Sequence, residues 1–293
     1  MNLRPSVALP AGATLGEGPI WDPRDGCLWW VDIAQKTVNR FNLASGQNDA
    51  WQLDVTVSAV APTIRGDVLV AVQAGVARLD LATGQLTHPR TPRDHNPAIC
   101  RFNDGKCDPR GRFVAGTTSL THTPAAGALY SFDTQGAVRT LLRDVSLSNG
   151  LGWSPDGTRM YFVDTPTRQI ATFDYDLDSG TVHNRRVAAE IPPSFGYPDG
   201  LTVDADGFLW LALWGGSAVT RWDPQTGRLV ERHPLPASHI TSCTFGGELL
   251  DTLFVTSARE DLAAEQLHLE PLAGAIFSLS VGARGIPCTP FAG

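Results

Sequence analysis

The sequence predicts an all-β fold, a six-bladed β-propeller with a central channel, formed by residues 1–293 as one domain. Three observations carry this: an apolar run that recurs six times, a second strand-like segment after each run, and a composition poor in helix signals. Of 293 residues 29 are Gly and 21 are Pro, and only 18% are charged. A chain so rich in turn formers does not read as a helical bundle or a coiled coil.

The recurring runs are GCLWWVD (26–32), GDVLVAV (66–72), GRFVAGT (111–117), GTRMYFVD (157–164), GFLWLAL (207–213) and DTLFVTS (251–257), with starts 40, 45, 46, 50 and 44 residues apart. Each is followed by a second segment: VNRFNLASG (38–46), VARLDLATG (76–84), ALYSFDTQG (128–136), IATFDYDLDSG (170–180), VTRWDPQTG (219–227) and AIFSLSVG (275–282). Apolar positions alternating between turn residues are the signal of half-buried strands. Every period leaves room for one strand before this pair and one after it, which makes six four-stranded blades. REDLAAEQLHLE (259–270) is the one convincing helical stretch and falls in a connection. A ring also needs closing, and PSVALP (5–10) is the candidate strand to complete the last blade.

Charge narrows the partners. The formal net charge is −7 and the pI about 5.4, so there is no basic footprint for nucleic acid or an anionic membrane. No run of about 18 apolar residues occurs, and MNLRPSVALPAGATLGEG (1–18) lacks the apolar core of a signal peptide. The expectation is a soluble cytoplasmic protein, monomeric or weakly oligomeric. Cys27, Cys100, Cys107, Cys243 and Cys288 have no CxxC spacing and read as small buried hydrophobes of a reducing compartment. The seven histidines show neither HExxH nor His-x-His spacing, and neither GxSxG nor a strand-borne GxGxxG occurs.

A propeller implies no function, so the site is read separately. Four repeats align on their turns, DPRDG (22–26), DPRG (108–111), SPDG (154–157) and DADG (204–207). Five residues before each turn stand Glu17, Asn103, Asn149 and Asp199. Pseudo-rotation brings these side chains to one level of the ring, facing the channel if they begin the innermost strand. Two carboxylates and two amides suit a hard divalent cation with room for water and substrate, and the neighbouring glycines let the backbone approach a ligand. The alternative, that each is only an Asx-Gly turn, explains the register less well, because a separate turn follows in each repeat. The blades starting near 56 and 241 supply only Ser and Thr, so the ring is lopsided.

LGEGPIWD (15–22), RFNDGKCDPRGRFVAGT (101–117), LSNGLGWSPDG (147–157), YPDGLTVDADGFLWLALWGG (197–216) and ITSCTFGG (240–247) resemble the gluconolactonase, regucalcin and senescence-marker-protein family over nearly the whole chain. The resemblance implies a six-bladed propeller with one divalent ion at the channel mouth, its identity open among Ca, Zn, Mg, Mn and Fe(II). It implies that Glu17, Asn149 and Asp199 ligate the ion, that Asn103 lies beside ion and substrate, that Arg101 contacts sugar oxygens, and that Asp199 is the general base. The implied activity is hydrolysis of a sugar-acid lactone, a carboxylic ester hydrolase reaction on a small-molecule substrate. The alternative is a calcium-binding regulatory protein of the regucalcin type. Two departures stand out. Phe102 replaces a frequent Pro, and GTTSLTHTPAAG (116–127) lacks the Met and the acid often found there, leaving His122 as a substitute or as a plain loop residue. Phe102, Phe195, Tyr197 and Trp214 flank the motifs and either wall the pocket or pack between blades.

Overall fold

The turn before each recurring apolar run is the hairpin joining the first two strands of a blade. In the computed structural model, which describes residues 5–293, the innermost strands are Gly16–Asp22, Val57–Pro62, Cys100–Cys107, Ser148–Trp153, Tyr197–Val203 and Ile240–Gly246. Each begins one of six antiparallel sheets among the described residues. In the first blade the chain continues outward through Cys27–Asp32, Thr37–Asn42 and Asn48–Gln52. The Cys27–Asp32 strand is buried on both faces because neighbouring blades cover it, hence its unbroken apolar run CLWWVD rather than strict alternation.

The ring closes as expected. Ser6–Leu9 pairs antiparallel with Ile276–Ser280, Val7 opposite Phe277, and becomes the outermost strand of the last blade. One blade departs from four strands: the second holds only Val57–Pro62, Val68–Val72 and Gly75–Leu79. The chain that follows, QLTHPRTPRDHNPA (85–98), carries Pro89, Pro92 and Pro97, which cannot donate to a ladder. It contributes only isolated bridges, Leu86 to Leu79 and Arg90 to Val76. The helical stretch shrinks to Ala264–Leu269. No helix of the described residues is long and apolar enough to cross a membrane.

The core lies between blades. Val31 and Val38 of the first pack against Val57, Val60, Val68 and Val70 of the second. Tyr161, Val163 and Ile170 of the fourth pack against Leu201, Leu209, Leu211 and Leu213 of the fifth. Each such aliphatic side chain contributes roughly 1.5–3 kcal/mol when fully buried. All five cysteines are free, four of them buried and Cys288 half-buried.

Two features position the site. All six inner strands lose register with their neighbour at one level: between Glu17 and Ile20, Val57 and Ala59, Phe102 and Gly105, Ser148 and Leu151, Pro198 and Leu201, and Ile240 and Ser242. A bulge bends the strand and re-aims a side chain. Here it recurs around the channel at the level of Glu17, Asn103, Asn149 and Asp199. The C-terminal segment meanwhile crosses the opposite mouth. Ala205 N–H donates to Arg284 O (2.8 Å), Phe291 N–H to Pro62 O (2.8 Å), Ala292 N–H to Gly111 O (3.1 Å) and Cys288 Sγ to Trp21 O (2.8 Å).

Candidate functional site

At the mouth away from the C-terminal segment, a cavity of about 760 Å³ is lined by Glu17, Arg101, Asn103, Asn149 and Asp199 together. Every site residue expected from the sequence therefore faces one space.

The local chain explains how each is held. Strands two of blades one and four both end in Val-Asp, and both aspartates turn back to the entry of the inner strand. Asp32 accepts from Thr14 N–H (2.8 Å) and Leu15 N–H (3.1 Å), two residues before Glu17. Asp164 accepts from Leu147 N–H (2.8 Å) and from Ser146 N–H, two residues before Asn149. The repeated VD in GCLWWVD and GTRMYFVD was the signal for these anchors, and sequence reasoning passed over it.

The glycines after the site residues serve a different purpose from the one expected. A Cβ on Gly150 would stand 2.5 Å from Leu201 Cβ and 2.7 Å from Asp199 O, and one on Gly200 would stand 2.1 Å from Ser242 Oγ. They let adjacent inner strands approach each other around the axis rather than a ligand approach the backbone. Gly18 adds a donor, its N–H reaching Glu17 Oε2 at 2.8 Å.

Asn103 is tied into the site by both ends of its amide. Its Nδ2 donates to Ser148 O (2.8 Å) and Asn149 Oδ1 (3.0 Å), while its Oδ1 accepts from Arg101 Nη1 (2.7 Å). With both ends of the amide engaged, Asn103 links Arg101 to Asn149. Asn149 is held from its other end too, Nδ2 donating to Thr165 Oγ1 (2.8 Å), whose hydroxyl donates to Pro198 O (2.9 Å) beside Asp199. Thr165 is a positioning residue that no motif announced. Arg101 spends Nη1 on Phe102 O (3.0 Å) and Asn103, so its Nε and Nη2 have no partner among the described residues.

Electrostatics separate this cluster from an ordinary buried network. Glu17 and Asp199 are both buried, and neither forms an ion pair among the described residues. Burial, then the Asp104 charge, push the Glu17 carboxyl up to about 8, against smaller opposing pulls from Gly18 N–H and Arg101. Asp199 is driven well above the carboxylate range by burial first, then by Glu17 and Asp104. Asp104, deeper in the channel, is also raised by burial, and Lys106 opposes that shift. Asp199 Oδ1 is buried without any hydrogen-bond partner.

Two adjacent carboxylates short of positive charge, one with an orphaned oxygen, are what a bound cation would complete. No group of three or more His, Cys, Asp or Glu among the described residues is placed to hold an ion. The set that fits is therefore two carboxylates and the Asn149 amide oxygen, an all-oxygen set suited to a hard divalent ion.

The flanking aromatics divide. Tyr197 and Trp214 line the cavity, Trp214 stacked on His239 with ring centroids 4.0 Å apart. Phe102 is instead fully buried among His95, Tyr130 and Phe132, and Phe195 packs on Trp222 and under Arg232. His122 lines the cavity rim from an exposed position.

The family described as SMP-30/Gluconolactonase/LRE-like region matches residues 15–259. YvrE of Bacillus subtilis (strain 168), provisionally named a sugar lactone lactonase, is 36% identical over 281 residues, 96% of each chain. Regucalcin of Gallus gallus is 38% identical over 285 residues, 95% of each chain. The crystal structure of a calcium-binding protein, regucalcin from Agrobacterium tumefaciens, superposes with a TM-score of 0.93 at 32% identity, covering 99% of this chain and 97% of that one.

Proposed function

This chain belongs to the SMP-30/gluconolactonase/LRE-like family, and from that premise we propose that it hydrolyses a sugar-acid lactone to the open-chain aldonic acid with one divalent ion. The observation that carries the reading is the unpaired Glu17–Asp199 carboxylate pair, with the Asn149 oxygen, in one cavity with the spare donors of Arg101.

Glu17, Asn149 and Asp199 would hold the ion, which when bound supplies a Lewis acid for the lactone carbonyl and eases ionisation of a water. Arg101 donates from Nε and Nη2 to ring hydroxyls, and Asn103 holds the guanidinium in place. Asp199, which lines the cavity, accepts the proton of the attacking water. Water oxygen bonds to the carbonyl carbon, the ring C–O bond breaks, and the proton passes to the leaving alkoxide. The product is the hydroxy acid. The second reading, calcium binding without lactone turnover, is favoured by the regucalcin relatives. The spare Arg101 donors favour the enzyme, since holding an ion has no use for them.

The test is a pH-indicator assay over a panel of gluconic, xylonic, arabinonic and galactonic lactones, on chelated protein reloaded with each divalent metal. Chelation should abolish hydrolysis and one of the metals should restore it. Arg101→Ala in the reloaded protein should mainly raise KM. Full activity after exhaustive metal removal sinks the metal mechanism, and no activity with any metal leaves the calcium-binding reading.

A further inference from the structure

The cavity wall between the Glu17 and Asp199 strands is built by the last blade, whose inner strand packs against both. Glu260 stands there, just past the strand Thr252–Ser257, and its backbone is fixed from two sides. Its N–H donates to Thr14 O (2.8 Å), and its carbonyl meets His239 Nδ1 at 3.0 Å, on the ring that stacks on Trp214. The side chain is half-buried, lines the cavity, and has neither a hydrogen bond nor an ion pair among the described residues. By contrast Glu270 accepts from Ser238 N–H (2.6 Å) and Glu231 from Arg221 (3.0 Å). A rigid mount with an unengaged carboxylate is how a binding group is presented to a ligand.

The charge around it is one-sided. Glu17, Asp199, Glu260 and Asp261 line the cavity against the single guanidinium of Arg101. Glu260 is the charge that acts most strongly on that guanidinium, ahead of Glu17. The other rim, SLTHTPAA (119–126), offers hydroxyls and His122 but no carboxylate. With a divalent cation in place the wall still keeps a negative charge, and Glu260 and Asp261 are the parts of it free to meet a ligand's outer groups, Glu260 the more buried of the two.

We infer that Glu260 is the specificity-determining residue of the cavity, accepting hydrogen bonds from the hydroxyls of a neutral polyhydroxylated ring and rejecting a ligand that carries a phosphate or a carboxylate. The inference rests on the cavity being the sugar site proposed above and narrows its substrates to unphosphorylated, non-uronate lactones.

Its test is calorimetric binding of 1,5-anhydroglucitol and 1,5-anhydroglucitol 6-phosphate, rings that cannot be hydrolysed, to the calcium-loaded full chain. Wild type should prefer the neutral ring. Glu260→Gln should weaken the neutral ring about ten-fold, the weight of a charge-assisted hydrogen bond. It should strengthen the phosphorylated ring on the order of five-fold by removing a like charge. Glu260→Asp should keep the preference, which a purely structural role for the position would not require. An unchanged neutral-to-phosphorylated ratio in Glu260→Gln overturns the inference, and so does a wild type that binds neither ring. A Glu260-dependent ratio in a protein that hydrolyses no lactone keeps the inference and removes the lactonase reading. Lactone hydrolysis with an unchanged ratio does the reverse.

Discussion

Two rings of polar residues stand at the two ends of the inner strands, five positions apart: Glu17 and Asp22, Asn103 and Asp108, Asn149 and Ser154, Asp199 and Asp204. Five residues of strand put them about 16 Å apart. At the turn end every carboxylate is saturated. Asp22 accepts from Arg24 Nε (2.8 Å) and Nη2 (2.5 Å). Asp108 accepts from Arg112 Nε (2.5 Å), Tyr175 OH (2.5 Å) and two backbone N–H groups. Asp204 accepts from Arg221 Nε (2.9 Å) and Nη2 (2.7 Å), and from Trp210 Nε1 (2.9 Å). At the open end Glu17 has one backbone donor, and Asp199 Oδ1 has none.

The same residue types thus do opposite work. The turn ring holds hairpins shut with its own arginines, while the mouth ring keeps charge that the fold does not neutralise. An unsatisfied buried polar group costs roughly 1–3 kcal/mol. Of the two carboxylate rings only the mouth ring keeps an oxygen without a partner among the described residues, which marks that end as the place where something binds.

The sharpest way to break this comparison is to substitute both ends of one strand. Asp199→Asn should leave the fold intact, because it removes a like charge from beside Glu17. Turnover at saturating metal should fall on the order of 10²- to 10⁴-fold, the weight of a positioned base. Asp204→Ala, just past the end of the same strand, removes the acceptor of Trp210 N–H and leaves Arg221 with Glu231 and Asp206, and should lower stability by about 1–3 kcal/mol, read by urea unfolding. Near-normal turnover in metal-loaded Asp199→Asn reduces Asp199 to a ligand, and an unchanged unfolding midpoint in Asp204→Ala makes the turn ring dispensable.

A smaller effect sharpens the account of the mouth. Thr165→Val deletes the hydroxyl that orients Asn149 and should weaken metal affinity about ten-fold, as losses behind a ligand do. Thr165→Ser should restore it. If Thr165→Val binds metal as wild type does, Asn149 is held by Asn103 alone.

The smallest effect is a slope. In metal-free protein Glu17 is raised from 4.5 to about 8, so between those values the folded state holds a proton that the unfolded state has lost. Its contribution to stability is complete below about 4.5 and is lost as pH rises through about 8. Melting temperatures in chelator should therefore decline over this window, and Glu17→Gln or added divalent cation should flatten the decline. Asp204→Ala should lower the curve without flattening it. A chelated wild type that gains stability across the window contradicts the unpaired state of the mouth.

Much of this was legible in the chain. Turn-bounded apolar runs at a steady period specify strands and their number, because side-chain alternation and turn chemistry are local. Pseudo-symmetry then carries a position in one repeat to the same level in the next, and so Glu17, Asn103, Asn149 and Asp199 fall into register in the sequence itself. The second blade's missing strand was also written there, in Pro89, Pro92 and Pro97. What stayed hidden depends on groups distant in sequence. Tyr175 meets Asp108 from 67 residues away, and Arg221 meets Asp204 from 17.

The sequence by itself determined the propeller, pointed to its closure by PSVALP, and put Glu17, Asn103, Asn149 and Asp199 at one level, with Arg101 added by the family resemblance. Only the tertiary structure decided what each of them is free to do. It made Asn103 the link between Arg101 and Asn149, and sent Thr241, the hydroxyl at the same level in the last blade, to Gly16 O at 2.6 Å. It also brought Glu260 into one cavity with Asp199. The reason is that a residue type sets what a side chain can offer, whereas its spare valence depends on which donors the packed blades bring within about 3 Å of it.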